Sequence, residues 1–286
     1  MTRSRPRGLK KPLVLAIAVA LALAAAPAAA TARIAGISGV GWEHPPEADF
    51  RDVYGPRGLA YRAAWFREEP DVERDRQYAL ANQYGVLILP ILVQTYRPRT
   101  QTQMDEWLAY VRSVVQRYPA QRYWEIWNEP NADWSGDYDF YGEPAAWGKF
   151  VRATTRAIKN TKAGREDTVV AGAFALDVRG WEAFVDESNT SQAISVHTYA
   201  GPSTAVARIN AADARTDKPI WITEISWRED GSGNQAANTR YVLERTPGKP
   251  YFHFTLHEFD GIYWPKELAA TPATLDLLRL AAAGGI

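Results

Sequence analysis

Eight short apolar runs recur between residues 34 and 256, and nearly every one is followed by a segment of helical character. The runs predict strands at 34–41, 59–66, 86–93, 122–128, 168–174, 193–199, 219–225 and 251–256. Between and after them, helices are predicted at 71–84, 101–118, 143–162, 179–187, 203–215, 235–245 and 271–283. The 101–118 segment sets the pattern, with Met104, Trp107, Leu108, Val111, Val114 and Val115 on one face. Asp71 reads as a helix N-cap and Gly85 as a helix stop. The stretch after the first strand, with Pro45, Pro46 and Pro56, reads as irregular. Strands apolar on both faces belong to parallel sheets covered by helices. Eight such units in about 250 residues predict one domain, an α/β fold of the (β/α)8 TIM-barrel type, over residues 33–286. A doubly wound open sheet is the competing arrangement. It favours a GxGxxG loop after the first strand, and Gly36, Gly39 and Gly41 do not form one.

The first 32 residues read as a secretory signal peptide rather than as part of the fold. Arg3, Arg5, Arg7, Lys10 and Lys11 form a basic start, residues 12–26 an apolar run, and Ala30-Thr31-Ala32 a small-residue cleavage site. Cleavage there leaves 28 basic against 33 acidic residues, a net charge of −5. That balance argues against nucleic acid and anionic membrane as partners. The processed protein is expected to be a monomer without stable membrane insertion, secreted or periplasmic. With no cysteine in the chain, its stability must come from a full core rather than from disulfides.

The chemistry is suggested by two carboxylates. Tyr123-Trp124-Glu125-Ile126-Trp127-Asn128-Glu129-Pro130-Asn131 begins as a β-prone aromatic run and stops at an Asn-Glu pair before proline. Proline disfavours the helical region for the residue before it, so Glu129 is expected to be extended at a strand end. Glu224 has a matching setting in Pro219-Ile220-Trp221-Ile222-Thr223-Glu224-Ile225. In a barrel, active groups come from C-terminal strand ends. Two glutamates facing each other there are what glycoside cleavage uses: one donates a proton, the other attacks or activates water. Glu125 has the strand parity of Glu129 but lies deeper, and is expected to pair with a cation inside the barrel.

Asn128-Glu129-Pro130 after a tryptophan-rich strand, Ser195-Val196-His197-Thr198-Tyr199 on strand six and Trp221-Ile222-Thr223-Glu224 on strand seven resemble glycoside hydrolase clan A. The chain is most similar to family 39 and its bacterial exopolysaccharide-hydrolase relatives, with family 5 more distant. The resemblance implies a retaining enzyme acting on a β-linked polysaccharide or oligosaccharide, with Glu129 as acid/base and Glu224 as nucleophile. It further implies that Asn128 binds the sugar 2-hydroxyl, that His197 and Tyr199 line the site, and that Arg62 sits beside the nucleophile. Clan members usually present a tryptophan at the end of strand eight, but here Trp264 is the first after it, with His257 and Phe259 as the other aromatic candidates. A barrel without the extra β-rich domain of family 39 xylosidases suits an endo-acting enzyme.

Of the 11 tryptophans, Trp107, Trp147 and Trp181 read as packing. Trp42, Trp65, Trp134, Trp227 and Trp264 read as flat faces for sugar rings. The loop at 133–139 mixes carboxylates and aromatics without EF-hand spacing, and no His/Cys set has zinc-ligand spacing. No metal or cofactor is expected, and the partner is a carbohydrate substrate. A non-catalytic glycan-binding barrel that assists polysaccharide export and a transglycosylase are the alternatives. Binding alone needs neither glutamate.

Overall fold

The computed structural model describes residues 32–39, 44–133, 140–227, 234–256 and 269–286. Its strands are β1 (Ala35–Ser38), β2 (Ala60–Phe66), β3 (Ile88–Val93), β4 (Tyr123–Ile126), β5 (Thr168–Ala175), β6 (Ala193–Thr198), β7 (Ile220–Ile225) and β8 (Tyr251–Phe254). They pair in chain order, all parallel, and β8 closes onto β1. Every strand is followed by a helical stretch: α1 (residues 47–57), α2 (Asp71–Gln83), α3 (Gln101–Arg117), α4 (Pro144–Lys159), α5 (Trp181–Glu187), α6 (Pro202–Arg215), α7 (Gln235–Arg245) and α8 (Pro272–Ala282). This is the (β/α)8 TIM barrel that the alternating runs predict. The expected signal, apart from Ala32, lies outside the described residues. Among the described residues no helix is long and apolar enough to cross a membrane.

Two local expectations are corrected. The stretch after β1 is helical, not irregular. Pro46 precedes its first turn and Pro56 begins its last, positions where a missing N–H is tolerated. Its middle, Phe50–Tyr54, is a π turn. The Phe50 and Tyr54 rings pack on Tyr61 of β2, with centroids 5.7 and 5.3 Å away. Asp71 is not the N-cap of α2. The chain enters through extended Pro70, so Asp71 falls in the first turn and pairs with Arg74 at 2.6 Å. Gly85 follows the end of α2 with φ +65°, a conformation that favours glycine.

The barrel interior has two levels. The lower one is apolar: Ala60, Leu89, Val170, Ala193, Trp221 and Phe252 pack together, with Ile34, Leu87 and Tyr123 beside them. Gly36 makes this packing possible, because a Cβ there would lie 2.4 Å from the Ala60 carbonyl oxygen and 2.9 Å from the Phe252 ring. Above this floor the inward positions turn polar: Ser38, Arg62, Glu125, Ser195, His197 and Glu224, all buried. The layer between strands and helices holds Trp107, Trp124, Trp127, Trp147 and Trp181. Three of these indoles donate to polar groups within it: Trp107 to Thr154, Trp147 to Ser188 and Trp124 to Asp167.

Candidate active site

The segment after β4 carries Glu129, and its backbone is not extended as proline predicts. Trp127 and Glu129 have φ of +67° and +47°, the left-handed region. Such a conformation costs a side-chain-bearing residue about 1–2 kcal/mol. The surroundings hold it in place. The Trp127 N–H still donates to Leu92 of β3 at 3.0 Å, and its ring is buried edge-on against Phe140 and Phe150. The Ala132 N–H closes a turn onto the Glu129 carbonyl at 3.0 Å. Asn131 clamps that turn to β5, giving its amide N–H to the Ala175 carbonyl and accepting from the Ala175 N–H, both at 3.0 Å. In the sequence, Asn131 is signalled only by its place directly after Glu129-Pro130.

Glu224 reaches the interior through an irregularity. Trp221 already faces inward, so a regular strand would turn residue 224 outward. Between β6 and β7 the register instead runs Val196 to Ile222 and then His197 to Glu224, with Thr223 as the extra residue. A bulge of this kind re-aims a side chain. Here it points Glu224 at the barrel axis and leaves the Thr223 hydroxyl 3.2 Å from His197 Nε2.

The carboxyl groups of Glu129 and Glu224 converge. One oxygen of each, together with a ring nitrogen of His197, lies within a set whose members are all within 4.8 Å of one another. His197 Nδ1 is 2.8 Å from Glu129 Oε1 and 3.5 Å from Glu224 Oε2. Burial pushes the His197 imidazolium down to about 4, against the attraction of Glu224, so the ring is neutral at neutral pH. Arg62 Nη1 donates to Glu224 Oε1 at 2.5 Å, and the Tyr199 hydroxyl donates to Glu224 Oε2 at 2.7 Å. Burial, then the charge of Glu224, raises Tyr199 well above the ordinary phenol value, which keeps it a donor. Arg62 also donates to Glu125 at 2.5 Å, to Ser38 at 2.9 Å and to the Asn128 side-chain carbonyl at 3.0 Å. Asn128 is thereby oriented with its NH2 group as the remaining donor. Glu125 has the cation partner its depth predicts.

Glu129, His197 and Glu224 are also the kind of set that can surround a metal ion. Both oxygens of Glu224 are already engaged, however, and the Arg62 charge lies against one of them. A bound cation would meet that charge at close range, so the arrangement suits proton transfer and nucleophilic attack better than metal binding.

Two of the expected sugar platforms are corrected. Trp65 lies three residues beyond Arg62, an odd step that puts it on the opposite face of β2. Its ring is wholly buried in the helix layer, and its N–H donates to Gln77 of α2 at 2.8 Å. Trp227 is also buried, with its N–H held by the Ala200 carbonyl at 2.9 Å, so it braces the ends of β6 and β7. Trp42, Trp134, Trp264, His257 and Phe259 lie outside the described residues. Two aromatics that the sequence did not single out are open to solvent: Tyr96 after β3, 63 % exposed, and Tyr141 after β4, 52 % exposed.

Comparison with known proteins agrees with this fold. No curated protein sequence matches the chain. Solved structures share the fold at low identity. The endo-1,4-β-D-mannanase of Thermotoga petrophila is 13 % identical with a TM-score of 0.65, over 88 % of this chain and 99 % of that one. A β-glycosidase is 12 % identical with a TM-score of 0.69, over 89 % and 97 %. The catalytic domain of a Thermobifida fusca endoglucanase is 15 % identical with a TM-score of 0.56, over 88 % and 90 %. The family model described as the glycosyl hydrolase catalytic core matches residues 100–247, a span that contains both Glu129 and Glu224. With more than half of its length matched, and two buried carboxyl groups converging at the C-terminal ends of its strands, the chain belongs to the glycosyl hydrolase catalytic core family and is a glycosidase.

Proposed function

We propose that this protein is a secreted, retaining glycoside hydrolase that cleaves β-glycosidic bonds in a polysaccharide or oligosaccharide. The observation that carries the reading is the close approach of Glu129 and Glu224, with single oxygens within 4.8 Å of each other. Retaining enzymes hold their carboxyl groups about 5–5.5 Å apart, whereas inverting ones need about 6.5–9.5 Å to admit a water. Glu224, fixed by Arg62 and Tyr199, is the nucleophile. Its oxygen attacks the anomeric carbon as the glycosidic C–O bond breaks, and Glu129 gives its proton to the departing oxygen. The resulting glycosyl ester is then opened by water, whose proton returns to Glu129. His197 stays neutral throughout. Its ring offers one N–H and one lone pair, and the Thr223 hydroxyl can match either tautomer as the Glu129 proton leaves and returns. Asn128, oriented by Arg62, offers its NH2 group to the sugar 2-hydroxyl.

The likeness of the strand-four, strand-six and strand-seven motifs to family 39 supports an exopolysaccharide as substrate. The neighbours named as mannanase and endoglucanase support a β-linked polymer more generally. Export rests on the basic and apolar segments that precede Arg33.

The two glutamates are expected to respond differently to removal. In Glu224→Ala no glycosyl ester forms, and every substrate of the parent fails. In Glu129→Ala an activated aryl β-glycoside still forms the ester, because its leaving group barely needs a proton. Turnover then stalls by about 10²–10⁴-fold for want of a general base. Azide, which needs no base, restores it and yields the β-glycosyl azide. If both variants keep full activity on a substrate the parent cleaves, the assignment is wrong.

A further inference from the structure

Glu125 is wholly buried four residues before Glu129, and no step above uses it. Its Oε2 accepts from Arg62 Nε at 2.5 Å, while Oε1 is buried without a hydrogen-bond partner among the described residues. A buried carboxylate oxygen left unpaired destabilises the fold. Packing alone does not call for this group. Arg62 is likewise wholly buried and lies between two anions, Glu125 on one side and Glu224 on the other.

The covalent step disturbs that balance. When Glu224 becomes an ester it loses its negative charge, and Arg62 remains. A lone guanidinium in the barrel interior would be an uncompensated buried cation, which is strongly unfavourable. We propose that Glu125 is a positioning residue, the resident counter-ion of Arg62, which lets Glu224 give up its charge to the sugar without stranding the arginine. In the free enzyme it divides the pull of Arg62 and so keeps the Glu224 oxygen nucleophilic. The inference rests on Glu224 being the nucleophile.

The other groups facing this pair do not replace it. Ser38 of β1 and Asn128 are uncharged, His197 of β6 is neutral, and Tyr199 is a donor to the same carboxylate. Glu129 meets the same His197 nitrogen as Glu224 and becomes an anion when it gives up its proton, but it must take that proton back from water as the ester opens, whereas Glu125 stays paired with Arg62 throughout. From β3, β5 and β8, Ile91, Val170, Phe252 and Phe254 bring no charge. His253 alternates with Phe252 and Phe254 and lies beside Ser226.

The test compares Glu125→Gln, which keeps an acceptor for Arg62 Nε but no charge, with Glu125→Asp, which keeps the charge. Both are measured as kcat/KM against pH on an aryl β-glycoside that the parent hydrolyses, with Glu224→Ala as control. In Glu125→Gln, Arg62 holds Glu224 alone. The acidic limb of the profile then moves down by on the order of one pH unit, and formation of the ester slows by on the order of tenfold. Glu125→Asp keeps the limb near the parent's position. A folded Glu125→Gln with the parent's limb and rate overturns the inference while leaving the nucleophile in place. A Glu125→Gln that does not fold while Glu125→Asp does makes Glu125 a structural group and also overturns it. Activity retained in Glu224→Ala removes the underlying reading instead.

Discussion

His197 has both ring nitrogens committed, to Glu129 and to Thr223, in a setting where burial holds its protonation near 4. An unfolded histidine titrates near 6.5. Between those values the unfolded chain binds a proton that the folded one refuses, so this residue's contribution is full above about 6.5 and is lost as pH falls toward 4. The loss is on the order of 3 kcal/mol. Urea unfolding of the parent and of His197→Gln at pH 7 and pH 4.5 checks this: the gap between the two proteins should shrink at the lower pH. A constant gap would mean that the imidazole is no more buried than in the open chain. The residue scale also shows what a sequence can carry. Glu125, Glu129, His197 and Glu224 declare themselves by type and by place at or below strand ends. Trp65 misleads because its ring, read without counting from Arg62, looks like a platform. Glu224 would mislead in the opposite sense, since parity from Trp221 predicts an outward side chain until the bulge at Thr223 is known. Bulges and left-handed residues are set by neighbouring strands, and no local propensity announces them.

Among the connecting elements, the loops after β3 and β4 form one rim. Arg97 of the first pairs with Glu143 of the second and lies over the Phe140 ring, 5.2 Å from its centroid. The Phe140 N–H in turn donates to the Pro130 carbonyl at 2.9 Å, directly beside the acid/base candidate. Tyr96 and Tyr141 adjoin these anchored residues and are exposed. Tyr96→Ala combined with Tyr141→Ala is expected to raise KM for a polymeric substrate by about tenfold, the loss of roughly 1–1.5 kcal/mol of ring contact. KM for an aryl glycoside, which has no polymer chain to reach these rings, should not change. Equal effects on both substrates would place the tyrosines elsewhere in the binding path. Element boundaries were legible wherever composition and capping agreed, as in α7, which spans the predicted residues with Asn234 capping Ala237. They were not legible around α1, whose prolines mimic a loop while its aromatics pack on β2.

Taken as a whole molecule, the barrel gives its lower interior to packing and its upper interior to charge, and each depends on the ring being shut. The seam at β1 illustrates the consequence. Gly36 lets β1 lie against β2 and beneath Phe252 of β8, and a methyl group there must push one neighbour away. A sheet closed on itself has no free margin, so prying one strand loose bares two at once, each a row of unpaired backbone groups ready to template another chain. Gly36→Ala is therefore expected to lead to self-association rather than to a simple drop in stability. Its light scattering should rise on mild heating in proportion to protein concentration, at temperatures where the parent stays clear. Closure thus does for this chain what an edge-blocking charge or proline does for an open sheet: it is the protein's protection against sticking to itself.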